Sequence, residues 1–63
     1  MKAIYSYNGQ ELIKTLNSSD EFYLEERGER YVINSIRARL MEDLKHEEGK
    51  EPEPSEIQFI DFQ

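Results

Sequence analysis

The chain has 63 residues, a net charge of −6 and no cysteine. A chain this short holds one domain, spanning 1–63, and a core of about a dozen side chains, so a large substrate pocket is excluded. The lack of cysteine removes disulfide staples, thiolate zinc sites, cysteine nucleophiles and redox switching, and it fits a reducing, cytoplasmic setting. Ordering the chain costs roughly 1.5 kcal/mol per residue, which nearly cancels what apolar burial returns, so marginal stability or support from a partner is expected. Met1 to Asn8 lacks the apolar run of a signal peptide, and nothing approaches the length of a membrane span. Asn17-Ser18-Ser19 matches a glycosylation acceptor, which without secretion is a chance match.

The charge is unevenly distributed. In residues 1–41, Lys2, Lys14, Arg27, Arg30, Arg37 and Arg39 balance Glu11, Asp20, Glu21, Glu25, Glu26 and Glu29. The rest of the chain carries Glu42, Asp43, Glu47, Glu48, Glu51, Glu53, Glu56 and Asp61 against Lys45 and Lys50. All the excess negative charge therefore lies in the last third, a neutral body followed by an acidic segment.

Lys2 to Tyr7 is short, β-branched and aromatic, and reads as a strand with Ala3, Tyr5 and Tyr7 on one face and Ile4 with Ser6 on the other. Asn8-Gly9 supplies the two positive φ values of a type I′ turn, and Gln10 to Leu16 pairs back as a second strand, although Leu12, Ile13 and Leu16 also sit at helical spacing. Asn17-Ser18-Ser19-Asp20 is a cluster of turn formers that separates elements. Phe22, Leu24 and Glu26 alternate with Tyr23 and Glu25, and Arg27-Gly28 turns the chain into Arg30-Tyr31-Val32-Ile33, which predicts a second hairpin.

Ile33 to Leu44 satisfies two templates. As a strand it places Val32, Asn34, Ile36, Ala38 and Leu40 on one face. As a helix it places Val32, Ile36, Leu40 and Leu44 on one stripe, with Gly49 as a C-terminal stop. The Ile-Arg-Ala-Arg-Leu alternation favours a long strand to about Met41; the alternative is an α+β fold with a helix over about 35–48. Residues 42–56, rich in acids and containing Glu-Pro-Glu-Pro, read as a mobile acidic loop with a polyproline II tendency. Ile57, Phe59, Ile60 and Phe62 then form a closing strand.

Five short strands with turns about every ten residues predict an all-β, five-stranded antiparallel barrel or meander with a long acidic loop before the last strand. In the opening Lys-Ala-Ile-Tyr-Ser-Tyr-Asn-Gly, the Arg30 to Ile36 strand and the closing Ile57 to Phe62, the chain resembles the small five-stranded SH3-like barrels of phages and prophages. That resemblance is one of layout and implies a binding scaffold without a particular ligand.

The inventory for chemistry is thin. His46 is the single histidine and stands among Glu42, Glu47 and Glu48, with no serine or cysteine beside it to form a nucleophile and base. The loop carboxylates lack the apolar walls that would separate their pKa values into acid and base. No metal-ligand spacing or phosphate-cradling glycine loop occurs, so neither metal nor cofactor is expected. A strand would present Arg37 and Arg39 beside Tyr31, a platform for stacking single-stranded nucleic acid, but the neighbouring acids oppose a phosphate backbone, and pairing with Glu21, Glu25 and Glu26 is the structural alternative. The tyrosines at 5, 7, 23 and 31 suit either a half-buried core or a partner surface, and a strand edge could serve a homodimer. The expectation is a small non-enzymatic protein-interaction module. The alternatives are an acidic inhibitor that occupies a basic, nucleic-acid-binding groove through Glu47, Glu48, Glu51 and Glu53, and a single-strand-binding barrel.

Overall fold

The computed structural model describes residues 1–63. Its elements are β1 (Lys2–Tyr7), β2 (Gln10–Thr15), α1 (Ser18–Arg27), α2 (Glu29–Glu48), a 3-10 turn (Pro54–Glu56) and β3 (Ile57–Phe62). The strands form one antiparallel sheet in the order β2-β1-β3. No helix is long and apolar enough to cross a membrane.

The first hairpin forms as its turn chemistry dictates. Asn8 and Gly9 take φ values of 50° and 76°, and the ladder runs from Tyr7 opposite Gln10 to Lys2 opposite Thr15. On the other flank β3 pairs with β1 from Tyr7 opposite Ile57 to Ala3 opposite Phe62. The register slips once: Tyr5 faces Phe59 and Ile4 faces Asp61, so Ile60 is the extra residue of a β-bulge.

The middle of the chain overturns the five-stranded reading. The fold is α+β, a three-stranded sheet with two helices, and it is neither a β-barrel nor SH3-like. Three local features decide this. Asn17 is a helix N-cap: its Oδ1 accepts the Asp20 N–H at 2.8 Å while Asp20 Oδ2 accepts the Asn17 N–H at 3.0 Å, a reciprocal capping box at the place read as a loop. Gly28, expected to turn a hairpin, sits at φ 92° between two helices, and its N–H donates to the Tyr23 carbonyl at 3.2 Å. From Glu29 onward the helical template prevails, because Val32, Ile36, Leu40 and Leu44 all become buried on one stripe of α2. The helix expected as the alternative over 35–48 thus exists, and it starts six residues earlier, at Glu29.

The acidic loop shrinks for the same reason. Glu42 to Glu48 extend a helix already formed, which costs far less than nucleating one. Leu44 is buried under that extension, Glu42 meets His46 at 3.4 Å, and Gly49 closes it in the left-handed conformation, its N–H donating to the Lys45 carbonyl. Between α2 and the 3-10 turn the backbone lacks regular structure, yet Pro52 is buried there.

The core lies between α2 and one face of the sheet: Ala3, Tyr5, Tyr7 and Leu16, the α2 stripe, and Ile57, with Phe59 and Phe62 against its margin. Tyr5 is its centre. The side chain is fully buried, its hydroxyl donates to the Ile33 carbonyl of α2 at 2.6 Å, its ring meets Phe59 edge-on, and the Arg37 guanidinium lies 5.9 Å from the ring centroid. α1 packs along α2 and is tied to it by a 2.7 Å ion pair from Arg39 to the buried carboxylate of Asp20.

Burial pushes the Tyr5 hydroxyl from its ordinary pKa of 10.0 up to about 12, a rise that nearby Arg37 and Arg39 reduce. The folded chain holds that proton more tightly than the unfolded chain, so the contribution is complete below pH 10 and is lost between pH 10 and 12. It amounts to on the order of 2 kcal/mol. Tyr5→Phe is expected to cost about 1 to 2 kcal/mol at pH 7 and to flatten the fall in urea midpoint above pH 10. A variant as alkali-sensitive as the parent would show that Tyr5 does not carry this dependence. Tyr7, raised by its hydrogen bond to Glu48, leaves a residual slope.

Candidate functional site

The residues expected to bind a partner are dispersed by the helical fold. Two residues apart on a helix point about 200° apart, so Arg37 and Arg39 leave α2 on opposite flanks. Arg37 faces β3, donating Nε to the Ile57 carbonyl at 2.7 Å and Nη1 to Asn34 Oδ1 at 2.8 Å. Arg39 faces α1 and pairs with Asp20, its own Nε buried without a hydrogen-bond partner. Neither forms an ion pair with Glu21, Glu25 or Glu26 as a sheet would have allowed. Tyr31 lies in the first turn of α2, and the expected platform of Tyr31 beside two arginines is not assembled.

Tyr31 joins a different group. Its ring stands 5.3 Å from Tyr23, Tyr23 stands 5.3 Å from Phe22, and Arg27 lies 5.6 Å over Tyr31. Phe22 and Tyr31 remain 56% and 44% exposed on this outer side of the helical pair. Of the other tyrosines, 5 and 7 are core, and Tyr7 donates to Glu48 Oε1 at 2.8 Å.

The four acids of the expected inhibitory loop gather at one end of the molecule. Glu47 and Glu48 occupy the last turn of α2 and Glu51 and Glu53 the connection after it. Glu48 holds Tyr7, whereas Glu47 and Glu51 make no hydrogen bond or ion pair through their side chains. Carboxylates at a helix C-terminus oppose the helix dipole, by about 0.3 to 1 kcal/mol each at low salt, with Lys45 and His46 in the same turn as partial compensation. No three side chains of the metal-ligating types converge on one point. A shallow open groove lies between α2 and β3, lined by Arg37, Pro54, Ser55, Ile57, Gln58 and Phe59, and its one cation, Arg37, is tied to the protein through Nε and Nη1.

The surface that sequence reasoning overlooks is the second face of the sheet. Ala3, Tyr5 and Tyr7 point to the helices, so Ile4 and Ser6 point away from them. Ile4 stands opposite Ile13 on β2, and the bulge sets Ile60 and Asp61 together opposite Ile4 on β3. Ile13, Ile4 and Ile60 thus form an apolar row across all three strands. The outer two are 55% and 54% exposed, while their flanking side chains screen Ile4. Glu11, Thr15, Gln58 and Asp61 rim the row with polar groups. The signal was legible in part, since alternation separates Ile4 from Tyr5 and Ile60 from Phe59, but Asp61 joins this face, and Phe62 returns to the core side, only through the bulge.

The chain matches no protein family, and neither curated proteins nor solved structures include a similar one.

Asp20 serves two ends at once, the cap of α1 and the pair with Arg39. Asp20→Ala is expected to lower stability by about 2 to 3 kcal/mol, against about 1 kcal/mol for Asn17→Ala, which removes one half of the cap alone. Urea titrations followed by circular dichroism measure both. Equal costs would show that the Arg39 pair contributes nothing beyond the cap.

Proposed function

We propose that the protein is a small, non-enzymatic interaction module of the cytoplasm whose contact surface for a protein partner is the Ile13–Ile4–Ile60 row. The observation that carries this reading is the row itself. Single exposed isoleucines are ordinary on a soluble surface, but Ile13 and Ile60, joined in register over the buried Ile4 on a face that no helix covers, make an apolar patch with a polar rim, the composition of an interface centre. The partner suited to it presents its own apolar patch, and the gain on contact is the removal of that patch from water.

The second reading, an acidic inhibitor of a basic groove, draws support from Glu47, which stands at the helix end where the dipole disfavours it and makes no hydrogen bond or ion pair through its side chain. Cost borne at one place without structural return is a common mark of a functional surface.

Three baits separate the two: the parent chain, Ile60→Lys, and a variant with Glu47, Glu48, Glu51 and Glu53 changed to glutamine. The isoleucine row predicts a partner retained by the parent and the glutamine variant and weakened at least about tenfold by Ile60→Lys. A partner retained by Ile60→Lys, lost from the glutamine variant and released by moderate salt transfers the function to the acidic end. A partner indifferent to both sets of changes overturns both readings.

A further inference from the structure

We propose that a second copy of this chain pairs with the first through the outer edge of β2, joining two three-stranded sheets into one of six. This goes beyond the interaction module proposed above and stands on a separate observation, the unequal treatment of the two sheet edges.

The hydrogen-bond alternation of the hairpin determines which backbone groups of β2 are free. A two-residue turn makes Tyr7 and Gln10 a hydrogen-bonded pair, and the same parity carries to Leu16, whose N–H donates to the Met1 carbonyl at 2.9 Å. Gln10, Leu12, Lys14 and Leu16 therefore turn their backbone groups to β1. Those of Glu11, Ile13 and Thr15 point outward, and no hydrogen bond within the chain reaches them from outside the hairpin. An unpaired, regular edge of this kind is a template for another strand.

The other edge is irregular and partly occupied. Arg37 Nε donates to the outward carbonyl of Ile57, and the bulge at Ile60 interrupts the ladder midway along β3. β2 carries neither device. The lysine that would guard its edge, Lys14, has its ammonium drawn toward α2 by Asp43 at 3.3 Å. One regular edge and one interrupted edge per chain favour a pair that terminates, where two regular open edges would give a filament.

β2 is also complementary to itself. Antiparallel pairing about a two-fold axis perpendicular to the sheet keeps both open faces on the same side, and it requires a residue on the axis. With Ile13 there, Ile13 meets its own copy and Glu11 meets Thr15 on both sides. These three pairs are all of the outward type, so each exchanges two backbone hydrogen bonds, about six in all. Leu12 meets Lys14, and no like charges face each other. Centring on Leu12 leaves about four such bonds, and centring on Lys14 opposes two lysines. The register with most hydrogen bonds is also the one that joins the isoleucine rows end to end: Ile60, Ile4 and Ile13 of one copy continue into Ile13, Ile4 and Ile60 of the other.

Sedimentation equilibrium of the full chain from about 10 µM to 1 mM, together with amide hydrogen exchange at both limits, tests the pairing, the range being that of a small interface. The expected result is twice the chain mass at high concentration, with the Glu11, Ile13 and Thr15 amides protected at least about tenfold more there than at 10 µM. Ile13→Lys sets two lysines across the axis. Thr15→Pro deletes an outward N–H that the hairpin does not use. Both variants are expected to keep the parent circular dichroism spectrum and the single-chain mass throughout. A parent that stays at the single-chain mass at 1 mM overturns the proposal, as does a dimer in which those three amides exchange as fast as at 10 µM. The Ile60→Lys bait reads the face independently, because Ile60 lies on the strand farthest from this edge.

Discussion

The structure depends on the seating of one side chain, Tyr5. It projects from the central strand, so both outer strands take their positions from the strand that carries it. Its hydroxyl finds a carbonyl of α2, Phe59 closes on its edge from β3, and Arg37 lies over its face while reaching the β3 backbone. A buried hydroxyl must find an acceptor, and Ile33 offers one at a single height on the helix. The helix cannot slide along the sheet without abandoning it. Tyr7, two residues on and on the same face, makes a second fastening at Glu48 near the far end of α2. Together the two bonds set the axial position of a 20-residue helix on a strand of six residues.

Charge is used in two ways. Asp20, Arg37, Arg39, Lys14 and Asp43 are spent on holding elements to one another along the flanks of α2. Only the Asp20 carboxylate among them is buried, and its double service as helix cap and ion-pair partner supplies the hydrogen bonds that a buried charge requires. Glu47 and Glu51, by contrast, contribute nothing visible to the fold. The balanced body and the acidic end therefore differ in role as well as in sign.

Both margins of the fold are legible in the sequence, because their signals are local. Asn8-Gly9 specifies a turn, the turn specifies the register of β1 with β2, and the large apolar side chains from Ile57 to Phe62 demand cover. The middle misleads for an arithmetical reason. Val32, Ile36, Leu40 and Leu44 recur every fourth residue, and four is a multiple of two, so a helical stripe satisfies the alternation of a strand automatically. What separates the templates lies at the boundary. Asn17 and Asp20, read as turn formers, stand at the three-residue spacing of a capping box and announce a helix. The β-character of Tyr31-Val32-Ile33 then yields to tertiary burial, as β-propensity commonly does. For the surfaces, the positions of Ile4 and Ile60 follow from alternation, whereas those of Asp61 and Phe62 depend on the bulge between them and Phe59.

The pairing of the first strand with the last has a consequence for how this unit can be carried. Lys2 and Gln63 exchange backbone hydrogen bonds, Gln63 N–H donating to the Lys2 carbonyl at 2.7 Å, so the two ends of the described chain lie side by side at one corner of the sheet. A unit with adjacent ends can be spliced into a surface loop of a host protein without stretching either partner, and its ends can be joined by a short bridge and reopened elsewhere. Covalent continuity between β3 and β1 is thus geometrically dispensable: the sheet would hold the same order whether the chain broke there or at the connection after α2.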